Sequence, residues 1–211
     1  MELYVGVIKK WLSHSFRELQ DILYISIIFV VLCLPVISIG IALSVCFILA
    51  KLSIDGYKIG KIEFIKNYVK PILFKSFIVG FIDLIFAVTT VLCCYMLISP
   101  YTPYALAVMY MFFLGFDILF FMSAMYRYPI LVCNEDLPIK EIYTKSLILV
   151  CKNLMFCIAM LMVLITVLGL SLLTGIGVLF IFPGAAIFLI SFMYKQMIII
   201  NSQKGAGDDG D

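Results

Sequence analysis

The chain of 211 residues is 64% hydrophobic and 13% charged, with a net charge of +2. Together with uncharged runs as long as a bilayer is thick, that composition marks an integral membrane protein. It excludes a separate soluble domain, since no polar stretch is long enough to build a second core, and the small net charge gives no electrostatic footprint for a nucleic-acid partner.

The first 20 residues are expected to form an amphipathic helix. Leu3, Tyr4, Val7, Ile8, Trp11, Leu12, Phe16 and Leu19 recur at three- and four-residue spacing, and Lys9, Lys10 and Arg17 lie opposite. With Trp11 as an interfacial aromatic, this face suits the membrane surface or a partner subunit. The segment has charges where a signal peptide needs an apolar core, so it is expected to be retained.

Residues 22–50 contain no charged side chain. They are long for one span of about 20 residues and short for two spans of about 40. The stretch LPVISIG, residues 34–40, divides them. Either Pro35 kinks a single span or the chain reverses there, with Ser38 capping the next helix and Gly40 allowing close backbone approach.

Residues 51–71 follow, rich in lysine (Lys51, Lys58, Lys61, Lys66, Lys70) against Asp55 and Glu63. This is a cytoplasmic segment by the positive-inside tendency, and Lys61, Lys66 and Lys70 are positioned for headgroup or partner contact. Residues 72–98 and 104–126 read as spans joined by the uncharged turn SPYTP. Arg127, Lys140 and Lys145 then mark a second cytoplasmic loop, in which Asp136 and Pro138 start a helix. Residues 147–168 and 176–194 read as two further spans, the last interrupted at Pro183 and Gly184. The glycine-rich tail, 201–211, is expected to be disordered.

A hairpin at LPVISIG puts every basic cluster on one side. The expected fold is therefore an all-α polytopic transmembrane helix bundle of six membrane segments with both termini cytoplasmic, or five spans if residues 22–50 cross once.

The motif LPVISIG resembles the LPVxTIG signature of the YesL-like family of small bacterial integral membrane proteins. The similarity continues through IALSVCFILAKL and its lysine-rich loop, and more weakly through MYRYPILVCNEDLPIKEIYTKSLILVCKNL. Ser38 stands where that family has threonine, and the upstream tryptophan common in the family is missing. The resemblance implies a role in complex-carbohydrate import, since such proteins commonly accompany importers and carbohydrate hydrolases.

Charged groups inside a bilayer are the first candidates for function. Asp83 and Asp117 are expected about 16 Å and about 14 Å from the cytoplasmic ends of antiparallel neighbours, at similar depth. They could share a proton or cation, form a protease dyad, or accept hydrogen bonds from neighbouring hydroxyls. FIDL and GFDIL lack the glycine-aspartate context of intramembrane aspartyl proteases. Lys75 and Lys152 can snorkel to the headgroups, and Lys152 with Asn153 could instead reach Asp117.

The sequence holds no phosphate-binding loop, serine-hydrolase elbow, zinc-protease helix or dinucleotide fingerprint, so no catalytic residue, metal or cofactor is expected. The seven cysteines lack CxxC spacing and the one histidine is His14, which leaves packing as the cysteines' expected role. Two functions follow as expectations. The first is an accessory subunit bound to the permease of an ABC-type carbohydrate importer. The second is an independent ion- or proton-coupled transporter or channel using Asp83 and Asp117.

Overall fold

The computed structural model describes residues 19–35, 38–56, 62–98, 103–173, 175 and 177–208. The amphipathic segment with Lys9, Lys10, Trp11 and Arg17 lies outside them, as do Lys61 and the side chain of Lys66. All regular structure among the described residues is helical. The order is α1 (Leu19–Cys33), α2 (Ile39–Ile54), α3 (Ile62–Ile98), α4 (Tyr104–Cys133), α5 (Ile139–Lys152), α6 (Leu154–Leu173), α7 (Gly177–Phe180) and α8 (Phe182–Asp208). Four stretches have the length and hydropathy to cross a membrane: Tyr68–Ile98, Leu106–Cys133, Leu154–Leu173 and Phe182–Ile199.

The arms on either side of LPVISIG are helices of 15 and 16 residues. At about 1.5 Å per residue each rises only about 22 to 24 Å, short of a hydrocarbon core of about 30 Å. They run antiparallel. Ser53, near the end of α2, donates a 2.8 Å hydrogen bond to Asp21, near the start of α1, and the Cys46 thiol reaches the carbonyl of Ile25 at 3.7 Å.

In the turn, Ser38 does not cap α2 with its side chain. Its hydroxyl donates backward instead, to Pro35 O at 2.7 Å and to Leu32 O. The last carbonyls of α1 have no partners within their own helix, so they compete for this donor. Gly40 does permit a close crossing: a β-carbon there would fall within 3.0 Å of the backbone of Gly80 in α3.

Several helix ends fall elsewhere than the sequence suggests. Helix α3 continues from the lysine-rich segment straight through Pro71, because the proline removes one backbone donor from a ladder that is otherwise intact. Helix α4 runs through Pro129 to Cys133, which takes Arg127 out of the expected loop and into the protein. The helix expected to enter at 147 is divided at Asn153. Its side-chain amide bonds Leu149 O at 3.1 Å and its backbone N–H bonds Leu149 O and Val150 O at 3.1 and 3.2 Å. Such local side-chain bonding competes with helix continuation.

The interruption expected at Pro183 and Gly184 falls before them, at Ile181, and Pro183 occupies the first turn of α8, where its missing donor costs nothing. The next N–H, that of Gly184, is received by Ser26 Oγ of α1 at 2.8 Å, while Ser26 donates to Ile22 O at 3.0 Å. A serine on one helix thus caps the start of another. At its far end α8 continues to Asp208, beyond the start of the tail expected to be disordered; the ladder begun in the apolar part of the helix carries on through it.

The core lies where α2 meets α1, α3, α4 and α8, around Ile25, Leu49, Phe188 and Leu189. Burial is uneven. In α8, 56% of the apolar window is buried, against 17% in each of α3 and α4, so most of the surface of those two helices faces outward.

Candidate functional site

Helices α3 and α4 pack antiparallel, and the register sets the site. Asp83 of α3 faces Arg127 of α4, whose side chain is fully buried. A buried guanidinium stays charged at any accessible pH, so it requires a counter-ion and a partner for its remaining donors. It has both. One terminal nitrogen donates to Asp83 Oδ1, and the other to Phe120 O and, at 2.6 Å, to Ser123 Oγ, which also receives Nε at 3.2 Å.

The guanidinium plane lies 3.7 Å from the Phe120 ring centroid and 4.5 Å from that of Tyr143 in α5. Phe86 of α3 stacks on Phe120, with ring centroids 3.7 Å apart. The cation thus sits among rings drawn from three helices, an arrangement that suits arginine better than lysine because the guanidinium is flat and weakly hydrated.

Asp83 is equally occupied. Tyr128 donates to Oδ2 at 3.1 Å, and Tyr143 approaches Oδ1 at 3.4 Å. The pair is electrically neutral and draws α3, α4 and α5 together. Two helical turns before Asp83 on α3, Lys75 reinforces the same junction by donating to Glu135 O and, at 3.1 Å, to Leu137 O in the turn before α5. The snorkelling lysine of the sequence therefore ends on backbone carbonyls rather than on headgroups.

Asp117 is buried, 7% exposed, and receives a 3.0 Å hydrogen bond from Thr90. Thr90 lies two helical turns beyond Asp83 on α3, so the two carboxylates are offset by about 10 Å along the helix and are not at the similar depth expected. A protease dyad requires carboxylates that share a proton; here one is held by arginine and the other by threonine. Both do border one small cavity, of about 60 Å³, with Phe86 and Phe121. A space of that size between polar groups has room for water.

Lys152 is exposed at the end of α5 and Asn153 forms the break before α6. Neither joins Asp117, because the exposed lysine keeps its ammonium hydrated and the asparagine is committed to its own helix end. Lys70 lies on the exposed side of α3. No group of residues able to hold a metal ion occurs among the described residues.

Arg127, Tyr128 and Tyr143 are the functional candidates that the sequence reading missed. For Arg127 the signal was present. Apolar residues resume directly after Arg127 and run to Cys133, with no turn-forming pair between them, so Arg127 interrupts a helix rather than ending one. No family model, curated protein or solved structure matches this chain.

Proposed function

We propose that this protein is a non-enzymatic accessory subunit of the bacterial cytoplasmic membrane, with both termini cytoplasmic, which associates with the permease of an ABC-type carbohydrate importer. One observation carries the reading. Asp83 and the fully buried Arg127 neutralise one another, while the two longest apolar helices turn most of their surface outward.

Ion-conducting proteins keep an ionisable group open to a pathway. Asp83 instead has its charge balanced by Arg127 and is bonded by Tyr128 and Tyr143, which suits a structural pin. Outward side chains such as Val91, Tyr95, Met111 and Phe112 give α3 and α4 broad apolar faces. These faces suit lipid and a membrane partner alike. The choice of a sugar permease rests on the resemblance to the YesL-like family.

The short α1–α2 hairpin and four longer helices fit six membrane segments, with LPVISIG turning toward the outside. A cysteine introduced at Ile37 should then react with a membrane-impermeant thiol reagent from outside the cell.

A second reading has an observation of its own, the small cavity shared by Asp83 and Asp117. A transporter working through that cavity would lose flux on Asp117→Asn. The experiment that separates the two is affinity purification of the tagged protein from native membranes, followed by flux assays on the protein alone in liposomes. Stoichiometric recovery of a permease with no flux supports the accessory subunit. Purification without a partner, with flux that Asp117→Asn abolishes, overturns it.

A further inference from the structure

A second and larger cavity, of about 460 Å³, lies between α1, α2, α3, α4, α6 and α8. Leu43, Ala87, Phe121, Ala186 and Ile187 are typical of its wall, and among the described residues the only side-chain nitrogen or oxygen atoms in its lining belong to Asp83 and Tyr128. An apolar cavity of about 150 Å³ already takes up benzene and stays dry. This one has room for a longer hydrocarbon, and it carries a polar group at one place on its wall.

That polar group defines what the hydrocarbon would bear. An ionised carboxylate offers about four acceptor sites. Asp83 receives Arg127 and Tyr143 on Oδ1 and Tyr128 on Oδ2, which leaves acceptor capacity on Oδ2, beside Tyr128 and the cavity. An anion would find no donor there, since the Tyr128 hydroxyl is already spent on Asp83. A cation would gain little, since Arg127 already neutralises the carboxylate and lies next to it. A neutral O–H donor fits.

We infer that the cavity binds a lipid-like alcohol, its hydrocarbon chain against the apolar wall and its hydroxyl donating to Asp83. Ligand pockets commonly combine a large apolar surface with one or two fixed polar groups in this way. The inference stands apart from the accessory-subunit reading, because a subunit or a transporter could equally hold such a ligand.

The test uses the full-length protein in phosphatidylcholine liposomes, photolysed with dodecanol carrying a terminal diazirine and mapped by peptide mass spectrometry. Label is expected on the cavity-facing residues of α2, α3 and α8. Unlabelled dodecanol should displace it at least about tenfold more effectively than dodecane, the factor that one hydrogen bond to a charged acceptor supplies. Ala87→Phe and Ala186→Phe fill the cavity from different helices and leave the Asp83–Arg127 contacts in place, so each should remove most of the label. Two variants keep the test decisive if one fails to elute like the parent protein. Label spread over the outward faces of α3 and α4, and unchanged in a filled variant that elutes normally, overturns the site. Equal competition by dodecane overturns the role given to the hydroxyl.

Discussion

Replacing Asp83 by leucine should destabilise the protein far more than replacing both Asp83 and Arg127. Arg127 is 0% exposed and Asp83 19% exposed. Removing one member of a buried pair typically costs about 3–5 kcal/mol, because the survivor is left charged without a counter-ion. The two single variants differ in kind. Without Asp83, Arg127 keeps Ser123, Phe120 O and its two rings, but it cannot shed its proton. Without Arg127, Asp83 keeps the Tyr128 and Tyr143 donors and can take up a proton, so Arg127→Leu should fall at the lower end, at about 3 kcal/mol. In Asp83→Leu/Arg127→Leu no buried charge remains, and the loss should shrink to about 1–2 kcal/mol, chiefly from vacated volume. The double-mutant cycle would be read by unfolding in detergent, followed with a thiol-reactive dye on the buried Cys46, Cys93 and Cys157. A coupling energy of about 3 kcal/mol or more is expected. Additive losses, with coupling below about 0.5 kcal/mol, the scale expected of independent sites, would refute the reasoning.

Other positions give independent checks. Gly184→Ala places a β-carbon against the backbone of Ile22 and the hydroxyl of Ser26, and by thermal unfolding it should cost about 1–3 kcal/mol from overpacking. Gly169→Ala, with nothing within 4 Å, should instead gain up to about 1 kcal/mol from helix propensity. Ser26→Ala removes the acceptor for the Gly184 N–H, with an expected loss of about 1–3 kcal/mol and faster amide exchange at the start of α8. Lys75→Met removes both bonds to the turn before α5, so a protease should cut that turn sooner while the transmembrane helices survive. Asp55→Asn breaks the 2.6 Å pair with Lys195, whose partners are 33% and 46% exposed; the effect should stay below about 1 kcal/mol and vanish in high salt.

Hydrophobic runs told of membrane helices, and the four after residue 71 did appear as helices long enough to span, while residues 22–50 fold into two shorter ones. Their ends were less legible. Lysines and prolines were taken as the limits of helices, yet α3 passes through Pro71 and α4 through Arg127 and Pro129. A helix in an apolar setting continues wherever leaving it would expose more backbone than a lost hydrogen bond costs. Asn153, which looked like a mid-helix polar residue, is the actual break because its amide competes for the carbonyl of Leu149.

The site was half legible. Asp83 and Asp117 stood out as charges in apolar runs, but each was assigned by its depth alone. What decides their partners is the register of α3 against α4, which shows in contacts such as Phe86 on Phe120 rather than in any local pattern. Tyr143 could not have been placed beside Asp83 from sequence, since it arrives on a different helix through a turn held by Lys75.

The most direct test of the central claim is photo-crosslinking in native membranes from a reactive amino acid placed at Phe112, which is 82% exposed on α4, with Phe188 of the buried core as the control position. An accessory subunit should give one discrete adduct with a permease from Phe112 and none from Phe188. Adducts from Phe112 with lipid alone, at every level of the protein's expression, would contradict it.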